Sequence, residues 1–446
     1  MGIDEFMNEI KKTVVKFGGS SLASAEQFKK SAAIILADES RRFVVPSAPG
    51  KRFPDDEKVT DMLIACHTAA ANGEDFTGMF DRIRERYELI RTGLSLSVSL
   101  DEEFARIERN LKSGCSRDYA ASRGEYLNGI LLAFYLGYEF VDAAQVVFFD
   151  ENGSFDGAKT NLVMGGRLAH ATNAVVPGFY GSMPDGSVKT FSRGGSDVTG
   201  AIVARAVMAD IYENWTDVSG FLMADPRIVR DPKPIKLITY RELRELSYMG
   251  ATVLHEDSIF PVKMAGIPIN IRNTNLPEEP GTMIVPSADS YGDDVITGIA
   301  GRKGFAVLHI EKDMMNQETG FGMRVLKVLS DMGLCFEHLP SGIDTMGVVI
   351  DQKAIGGRER EILSEIARAT NPDKIEIERD LALIAVVGRG MIKTTGTASR
   401  VFSAVASAGI NIRMIDQGSS ELNIIIGVEE KDFEKAIETV YRAFVG

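Results

Sequence analysis

Two glycine-containing turns carry the residues with the clearest chemical potential. The first, Lys16-Phe17-Gly18-Gly19-Ser20-Ser21, follows the apolar pair Val14-Val15 and precedes a helical pattern from Ala23 to Leu36. Strand, glycine turn and helix in succession suit phosphate. Backbone N–H groups and the helix N-terminus cradle phosphate oxygens, and a lysine at the strand end meets a transferring group as a point charge. Because the lysine precedes the glycines, the segment is not a Walker A loop. The second turn runs Thr190-Phe191-Ser192-Arg193-Gly194-Gly195-Ser196-Asp197-Val198-Thr199-Gly200-Ala201. Its glycines bring a ligand close to the backbone, Arg193 can grip a carboxylate through two parallel hydrogen bonds, and Asp197 can hold an ammonium group. A cation and an anion in one turn suit an amino acid. Either turn alone also fits an ordinary loop, and each gains weight from the other.

Between them lies Arg123-Gly124-Glu125-Tyr126-Leu127, where Glu125 is expected to begin or cap a helix and offers a carboxylate to a substrate ammonium. Asn214-Trp215-Thr216-Asp217-Val218-Ser219-Gly220 ends an apolar strand in polar and small residues, and Ala224-Asp225-Pro226-Arg227 follows. Strand ends of α/β sheets are where nucleotides sit. Singly, Glu125, Asp217 and Arg227 read more readily as a solvated helix face, a cap and a surface charge, and it is their joint order that points to a site. His255-Glu256-Asp257 has Ile259 where a zinc-protease helix needs its second histidine, so His255 reads as structural.

The elements that must position these groups form an α/β pattern. From Thr13 to about Asn273, short β-rich runs (Arg42 to Pro46, Val146 to Phe149, Ala174 to Gly178, Ala209 to Trp215, Pro268 to Arg272) alternate with helical patterns, which predicts a largely parallel sheet. The turn-rich stretch from Asn275 to Asp294 reads as a linker. Beyond it the chain repeats at an offset of 76 residues, pairing Phe305 with Leu381, Gly320 with Gly396, Arg324 with Arg400, Val325 with Val401, Gly333 with Gly409 and Gly342 with Gly418. Each copy reads as strand, helix, strand, strand and helix. Lys374 to Glu378 closes the first copy; the second lacks that strand, and Val295 to Ala300 is expected to supply it.

Composition narrows the partners. The 446-residue chain has room for two to three domains, and its net charge of −13 argues against nucleic acid. Cys66, Cys115 and Cys335 are scattered, which fits a reducing cytoplasm without a disulfide or zinc framework. The opening Met1 to Lys12 lacks an apolar signal core, and no run approaches the roughly 18 apolar residues that span a bilayer, so no membrane partner is expected.

The string from Lys16 to Ser21, the Ser47-Ala48 turn, Arg123-Gly124-Glu125, Arg193 to Asp197, Thr216-Asp217, Asp225-Pro226-Arg227 and Gly250 to His255 together resemble the aspartate kinases, over nearly the whole chain. The tail repeat resembles that family's paired ACT regulatory domains. The resemblance implies an amino acid kinase-like three-layer α/β sandwich with a mainly parallel sheet, followed by two ferredoxin-like (βαββαβ) modules. The implied boundaries are a catalytic domain at 1–290, a first ACT module at 303–378, and a second built from 295–301 with 381–446. The implied reaction moves the γ-phosphoryl group of ATP to the side-chain carboxylate of L-aspartate, with Mg2+ entering on ATP and no metal held by the protein. A carboxylate acceptor is already ionised, so catalysis rests on positioning and charge neutralisation. Lys16 and Asp197 carry the catalytic roles. Arg193 would hold the α-carboxylate and Glu125 the ammonium, with Thr60 and Ser196 completing the aspartate pocket; Gly18, Gly19, Ser20, Thr216, Asp217 and Arg227 would serve ATP.

Two departures stand out. Thr252 occupies the place where the family commonly has a lysine, with Lys263, Arg227 and Lys51 as candidate substitutes, and the loop over 49–59 is longer and more charged than usual and could act as a lid or be passive. In the tail, Met315, Glu318, Gly320 and Glu337 fall where the family places its effector, with Glu337 late in a strand; a carboxylate there favours lysine over threonine. The repeat partner of Glu337 is Arg413, so the two copies are not expected to bind the same ligand. Residues around Gln417 to Ser420 are expected to support module pairing in a homodimer or homotetramer. The chain ends with the second module's helix, so a monofunctional enzyme is expected. Rival readings are a kinase of another amino acid carboxylate, and an amino acid sensor with an inactive kinase domain.

Overall fold

The structure, a computed structural model, describes residues 12–192, 194–251, 254, 256–288 and 294–446. Arg193, Thr252 and His255 lie outside the described residues. The chain folds as two units: one runs to Phe221 and adds Lys236–Tyr240 and the stretch up to Ser287, while the other takes Leu222–Ile235, the segment from Arg241, and the C-terminal part to Gly446.

The first unit is built on strands β1 (Thr13–Phe17), β2 (Arg41–Pro46), β3 (Glu139–Phe140), β4 (Ala174–Val175), a small hairpin of β5 (Tyr180–Ser182) and β6 (Val188–Thr190), then β7 (Ile211–Thr216), β8 (Leu237–Thr239), β9 (Ile269–Asn273) and β10 (Thr282–Val285). Eight of them form one sheet in the order β3-β4-β2-β1-β7-β9-β10-β8. All its pairs are parallel except β9 with β10. β1 lies in the interior of the sheet, and Val14, Val15 and Phe17 are fully buried, as expected for a parallel strand enclosed on both faces. Helix Ala25–Leu36 starts where Ser24 accepts a hydrogen bond from the Gln27 N–H. This is the α/β class with a mainly parallel sheet that the sequence pattern indicates.

Two local expectations are corrected. Val146 to Phe149 is not a strand of the sheet. Asp142 caps the short helical turn Ala143–Val146, and Phe148 and Phe149 make only isolated bridges. The stretch read as a linker contains β10, whose brief apolar run pairs with both β8 and β9. Four residues between Gly281 and Pro286 are too few to show a period against such strong turn signals.

β7 also carries a buried ion cluster. Glu213 accepts from Arg41 Nε at 2.8 Å and from Trp215 Nε1 at 2.8 Å, with Arg272 Nη1 at 3.7 Å. The Arg272 guanidinium lies 4.5 Å from the centroid of the Trp215 ring. One carboxylate thus pairs with the buried Arg41 and the half-buried Arg272 and fixes the strand that carries Asn214.

The 49–59 loop is pinned by charge. Asp56 binds Arg52 through two hydrogen bonds of 2.8 and 2.9 Å and Arg86 at 2.9 Å, while Arg86 also donates to the Gly50 carbonyl. The Arg52 hydrogen bonds hold the Asp56 carboxyl far below the usual range. Replacing Asp56 with Asn leaves Arg86 buried without a counter-charge, so a loss of about 2 kcal/mol is expected in denaturant unfolding at neutral pH, together with faster proteolysis between residues 50 and 58. Because the folded pKa is depressed, the wild-type advantage is present above the unfolded carboxylate pKa and is lost as pH falls through the folded value. An equally resistant loop in the Asn variant would show that this cluster does not restrain it.

The second unit carries a five-stranded sheet of β11 (Gly298–Glu311), β12 (Thr345–Asp351), β13 (Lys374–Val387), β14 (Met414–Asp416) and β15 (Asn423–Glu429), in the order β12-β11-β13-β15-β14. Both long strands serve both copies of the repeat. The end of β11 pairs with Lys374 to Glu378, whereas its beginning pairs Gly298 with Val387 and Ala300 with Ala385. The strand lacking in the second copy therefore comes from the residues just before the first. Phe305 and Leu381, equivalent in the repeat, are direct cross-strand partners. Gly320 and Gly396 take φ of 80° and 87°, and Gly333 and Gly409 take 68° and 71°, the left-handed region that glycine enters without steric cost. Helices Phe321–Asp331 and Thr397–Ser407 keep the 76-residue offset at both ends. Strands Thr345–Asp351 and Asn423–Glu429 are 78 apart, so the register slips by two between the helices and these strands. Leu308, Ile310, Phe321, Val325, Val348 and Ile362 form the core of the first copy. Among the described residues, no helix is long and apolar enough to cross a membrane.

Candidate active site

The parallel strands β1, β2 and β7 end on one edge of the sheet, and the first glycine turn leaves that edge. Lys16 is buried, and its Nζ lies 2.6 Å from Asp197 Oδ1. Asp197 stands in the first turn of helix Gly195–Ala206, entered through Gly194 at φ 55°. A carboxylate there is favoured by the helix N-terminus. The two residues assigned catalytic roles, 181 positions apart in the chain, are thus in direct contact.

Gly19 meets the second loop backbone to backbone. A Cβ on Gly19 would sit 2.9 Å from the Ala48 carbonyl oxygen, and one on Gly50 would sit 2.6 Å from the Gly19 carbonyl carbon. The Gly50 N–H donates to the Gly19 carbonyl at 2.8 Å. Any side chain at either position would force these loops apart. Ser21 and Thr274 hydroxyls are 2.7 Å apart, tying the same turn to the residue after β9.

Glu125 is corrected in position. It neither begins nor caps a helix but lies inside Arg117–Leu136, whose cap is Ser116. It is 5 % exposed, and its Oε2 has no hydrogen-bond partner among the described residues. Burial pushes the carboxyl up to about 8, against the opposing pull of the Ala48 N–H, its own N–H and Arg123. The neighbouring Gly124 faces Ala48, Val59 and Leu63, so the loop after β2 and the helix carrying Thr60 close over this part of the unit. A buried carboxylate with one unpaired oxygen suits a ligand cation.

The remaining candidates are distributed more loosely. Thr60 is half-buried in the first turn of helix Val59–Ala71, and Ser196 is buried against the backbone of Gly178. Gly18 donates to the Trp215 carbonyl at 3.0 Å, and Ser20 begins a short 3-10 turn. Thr216 ends β7 and Asp217 follows it, with a hydrogen bond of 3.2 Å between their side chains. Arg227 belongs to the second unit; it is exposed, pairs with Asp225, and borders an open depression of about 570 Å³ with Leu222 and Arg230. Of the lysines named as substitutes at Thr252, Lys51 follows Gly50 in the loop that meets the glycine turn and its Nζ donates to the Pro54 carbonyl at 3.0 Å, while Lys263 lies in the last turn of helix Glu256–Ala265.

Sequence reasoning missed Asn214. It was visible only as part of a polar strand end, and its partners depend on which strands pair.

In the second unit, Met315 packs into the core of the first copy, and Glu318 is engaged by Lys312 at 2.9 Å and by Arg324. Gly320 caps helix Phe321–Asp331. Glu337 is not in a strand; its N–H donates to the Val349 carbonyl at 2.8 Å, beside an isolated bridge at His338. Its carboxylate accepts a hydrogen bond from the Tyr248 hydroxyl, whose pKa is pushed up to about 12, by burial first and then by Glu337.

Residues 11–273 match the model of the amino acid kinase family, and residues 384–444 match that of an ACT domain. The chain is 40% identical over 447 residues to aspartokinase 3 of Bacillus subtilis, a match that covers 97% of this chain and 98% of that one. Among solved structures, the aspartate kinase of Clostridium acetobutylicum superposes with a TM-score of 0.91 at 53% identity, covering 97% of this chain and 100% of that one. Aspartokinase III of E. coli, in its R-state complex with aspartate and ADP, gives a TM-score of 0.74 at 26% identity, covering 98% and 100%. The T-state of aspartokinase III, with lysine and aspartate, gives 0.72 at 25% identity, again covering 98% and 100%. A parallel sheet with a lysine and glycine turn on its edge, joined to an ACT-bearing unit, is the framework of an ATP-dependent α/β kinase. The chain belongs to the amino acid kinase family, in its aspartokinase branch.

Proposed function

We propose that this kinase transfers the γ-phosphoryl group of ATP to the side-chain carboxylate of L-aspartate, giving 4-phospho-L-aspartate and ADP. A carboxylate oxygen forms the new bond to the γ-phosphorus as the bond to the β-bridging oxygen breaks, and ADP leaves with the electron pair. No proton has to be removed from the acceptor. The observation that carries the reading is the buried Lys16–Asp197 pair beside the glycine turn, at 2.6 Å. Lys16 would offset the charge on the transferred group, with Gly18 keeping the backbone beside it free of a side chain and with the N–H groups of Gly19 and Ser20 and the side chains of Thr216, Asp217 and Arg227 serving ATP. Mg2+ would arrive on the ATP phosphates and offset part of their charge. Glu125 would hold the substrate ammonium, Arg193 the α-carboxylate, and Thr60 and Ser196 the rest of the pocket. The complex of E. coli aspartokinase III with aspartate and ADP supports the substrate pair.

The proposed catalytic domain is 1–290, with ACT modules at 303–378 and at 295–301 plus 381–446 that join chains into a homodimer or homotetramer. The product would enter lysine, threonine and methionine biosynthesis in the cytoplasm, with lysine, rather than threonine, returning to inhibit the enzyme. Support for regulation comes from one face of helix Tyr240–Tyr248. Glu242 accepts from Arg389 at 2.7 Å, Glu245 from Asn423 at 2.6 Å, and Glu337 accepts from Tyr248. A lysine ammonium competing for Glu337 would displace Tyr248 from it.

The test is aspartate-dependent ADP release with and without millimolar lysine or threonine. Turnover inhibited by lysine is expected, and Glu337→Ala should raise the lysine concentration for half-inhibition at least about tenfold, the value of one charged hydrogen bond. No turnover would favour the sensor reading, and unchanged lysine sensitivity in the Ala variant would remove Glu337 from the effector site.

A further inference from the structure

Lys16, Asp197 and Asn214 close a triangle. Beside the 2.6 Å ion pair, Lys16 Nζ donates to Asn214 Oδ1 at 3.3 Å, and Asn214 Nδ2 donates to Asp197 Oδ1 at 2.8 Å. The β1–β7 register sets Lys16 directly opposite Asn214. Asn214 is 4 % exposed, in the interior of the sheet, so an amide here needs internal partners. The amide orientation follows from chemistry: an ammonium can only donate and a carboxylate can only accept, so Oδ1 must face Lys16 and Nδ2 must face Asp197.

We infer that Asn214 is a positioning residue for phosphoryl transfer, holding the Lys16 ammonium on a neutral acceptor and giving Asp197 a second donor. With Asp197 alone, the lysine charge would be committed to a carboxylate that is left bare whenever Lys16 turns away. Asn214 removes that penalty. When Lys16 swings toward phosphoryl oxygens, Asp197 keeps the amide N–H, and on the return stroke the amide oxygen guides the ammonium back. Tyr212 contributes from the same strand by donating to the Asp197 carbonyl at 3.2 Å, which fixes the helix turn but not the carboxylate. The inference rests on the proposed role of Lys16.

The test compares Asn214→Leu, Asn214→Asp, Lys16→Ala and the Asn214→Leu/Lys16→Ala double variant by steady-state kinetics of the full chain. Asn214→Leu should lower kcat about 10- to 100-fold, the value of lost hydrogen bonds to charged groups, with KM for both substrates changed less than about twofold. In the double variant the losses should not add, because both act through one ammonium. Asn214→Asp should be impaired at neutral pH and regain activity relative to wild type as pH falls, because a protonated carboxyl again donates to Asp197. Should the Leu variant fail to fold, that pH profile decides alone: a constant ratio to wild type overturns the inference. So does wild-type kcat in Asn214→Leu, or full additivity with Lys16→Ala. Wild-type turnover in Lys16→Ala would instead overturn the assignment of Lys16, leaving a different signature.

Discussion

Replacing Lys16 with alanine is expected to lower kcat by about 10²- to 10³-fold, as for a lost charge-stabilising donor at a reacting oxygen, while the KM for aspartate changes little. The expectation follows from burial and pairing together. Among the described residues Lys16 is the one buried lysine, its ammonium is held by Asp197 and Asn214, and Gly18 beside it leaves the approach free of a side chain. A point charge kept from bulk water and fixed by two oxygens costs little to reorganise when a phosphoryl group arrives. Lys16→Arg should recover little, because the planar guanidinium needs a different set of partners from the compact ammonium. Steady-state ADP release measures both variants, and a Lys16→Ala kcat within tenfold of wild type would sink the assignment.

Glu125→Gln is expected to raise the aspartate KM about 10²-fold and, at the same time, to stabilise the protein at alkaline pH. The first effect is the loss of a buried charge partner for the substrate ammonium. The second follows from the carboxyl being pushed up to about 8 by burial. In the unfolded chain a glutamate loses its proton near the ordinary value of about 4.3, so between there and about 8 the folded protein binds the extra proton. Stability from this group is fully present below the unfolded pKa and is lost as pH rises through the folded one. Glutamine is neutral throughout, so its advantage should grow across that window to several kcal/mol, at roughly 1.4 kcal/mol per unit, and then level off. Substrate binding reverses the balance, since an ammonium favours the ionised form. The wild-type aspartate KM should therefore fall about tenfold per pH unit on approaching pH 8 and flatten above it, whereas the Gln variant should show no such dependence on this group. Kinetics and thermal melts between roughly pH 6 and 9 read both effects. A wild-type KM that is flat across this range would mean that Glu125 does not meet the substrate cation.

These expectations draw on different levels of the molecule. The Lys16 turn was legible because its chemistry is local: a lysine, two glycines and the start of a helix sit within six residues. The tail repeat was legible for a similar reason, since Gly320 and Gly396, like Gly333 and Gly409, mark left-handed positions that recur at one spacing. Glu125 was misread as a helix start because its segment shows no clear amphipathic face. Helix Arg117–Leu136 is buried around most of its surface, and a helix enclosed on all sides shows no polar stripe by which to place a residue along it. β10 was hidden by the turn residues around it.

By itself, the sequence determined the α/β class, the two glycine turns, the doubled tail and the resemblance to aspartate kinases, all of which rest on local spacing, periodicity or motif order. Tertiary structure decided which groups meet. Only the β1–β7 register places Asn214 against Lys16, only the approach of helix Gly195–Ala206 brings in Asp197, and only the packing of the Ala48 loop against helix Arg117–Leu136 leaves Glu125 buried with an unpaired oxygen. A side chain's charge can be read from its letter. Its partner and its pKa depend on chain segments up to 253 residues away and on the water that their packing excludes.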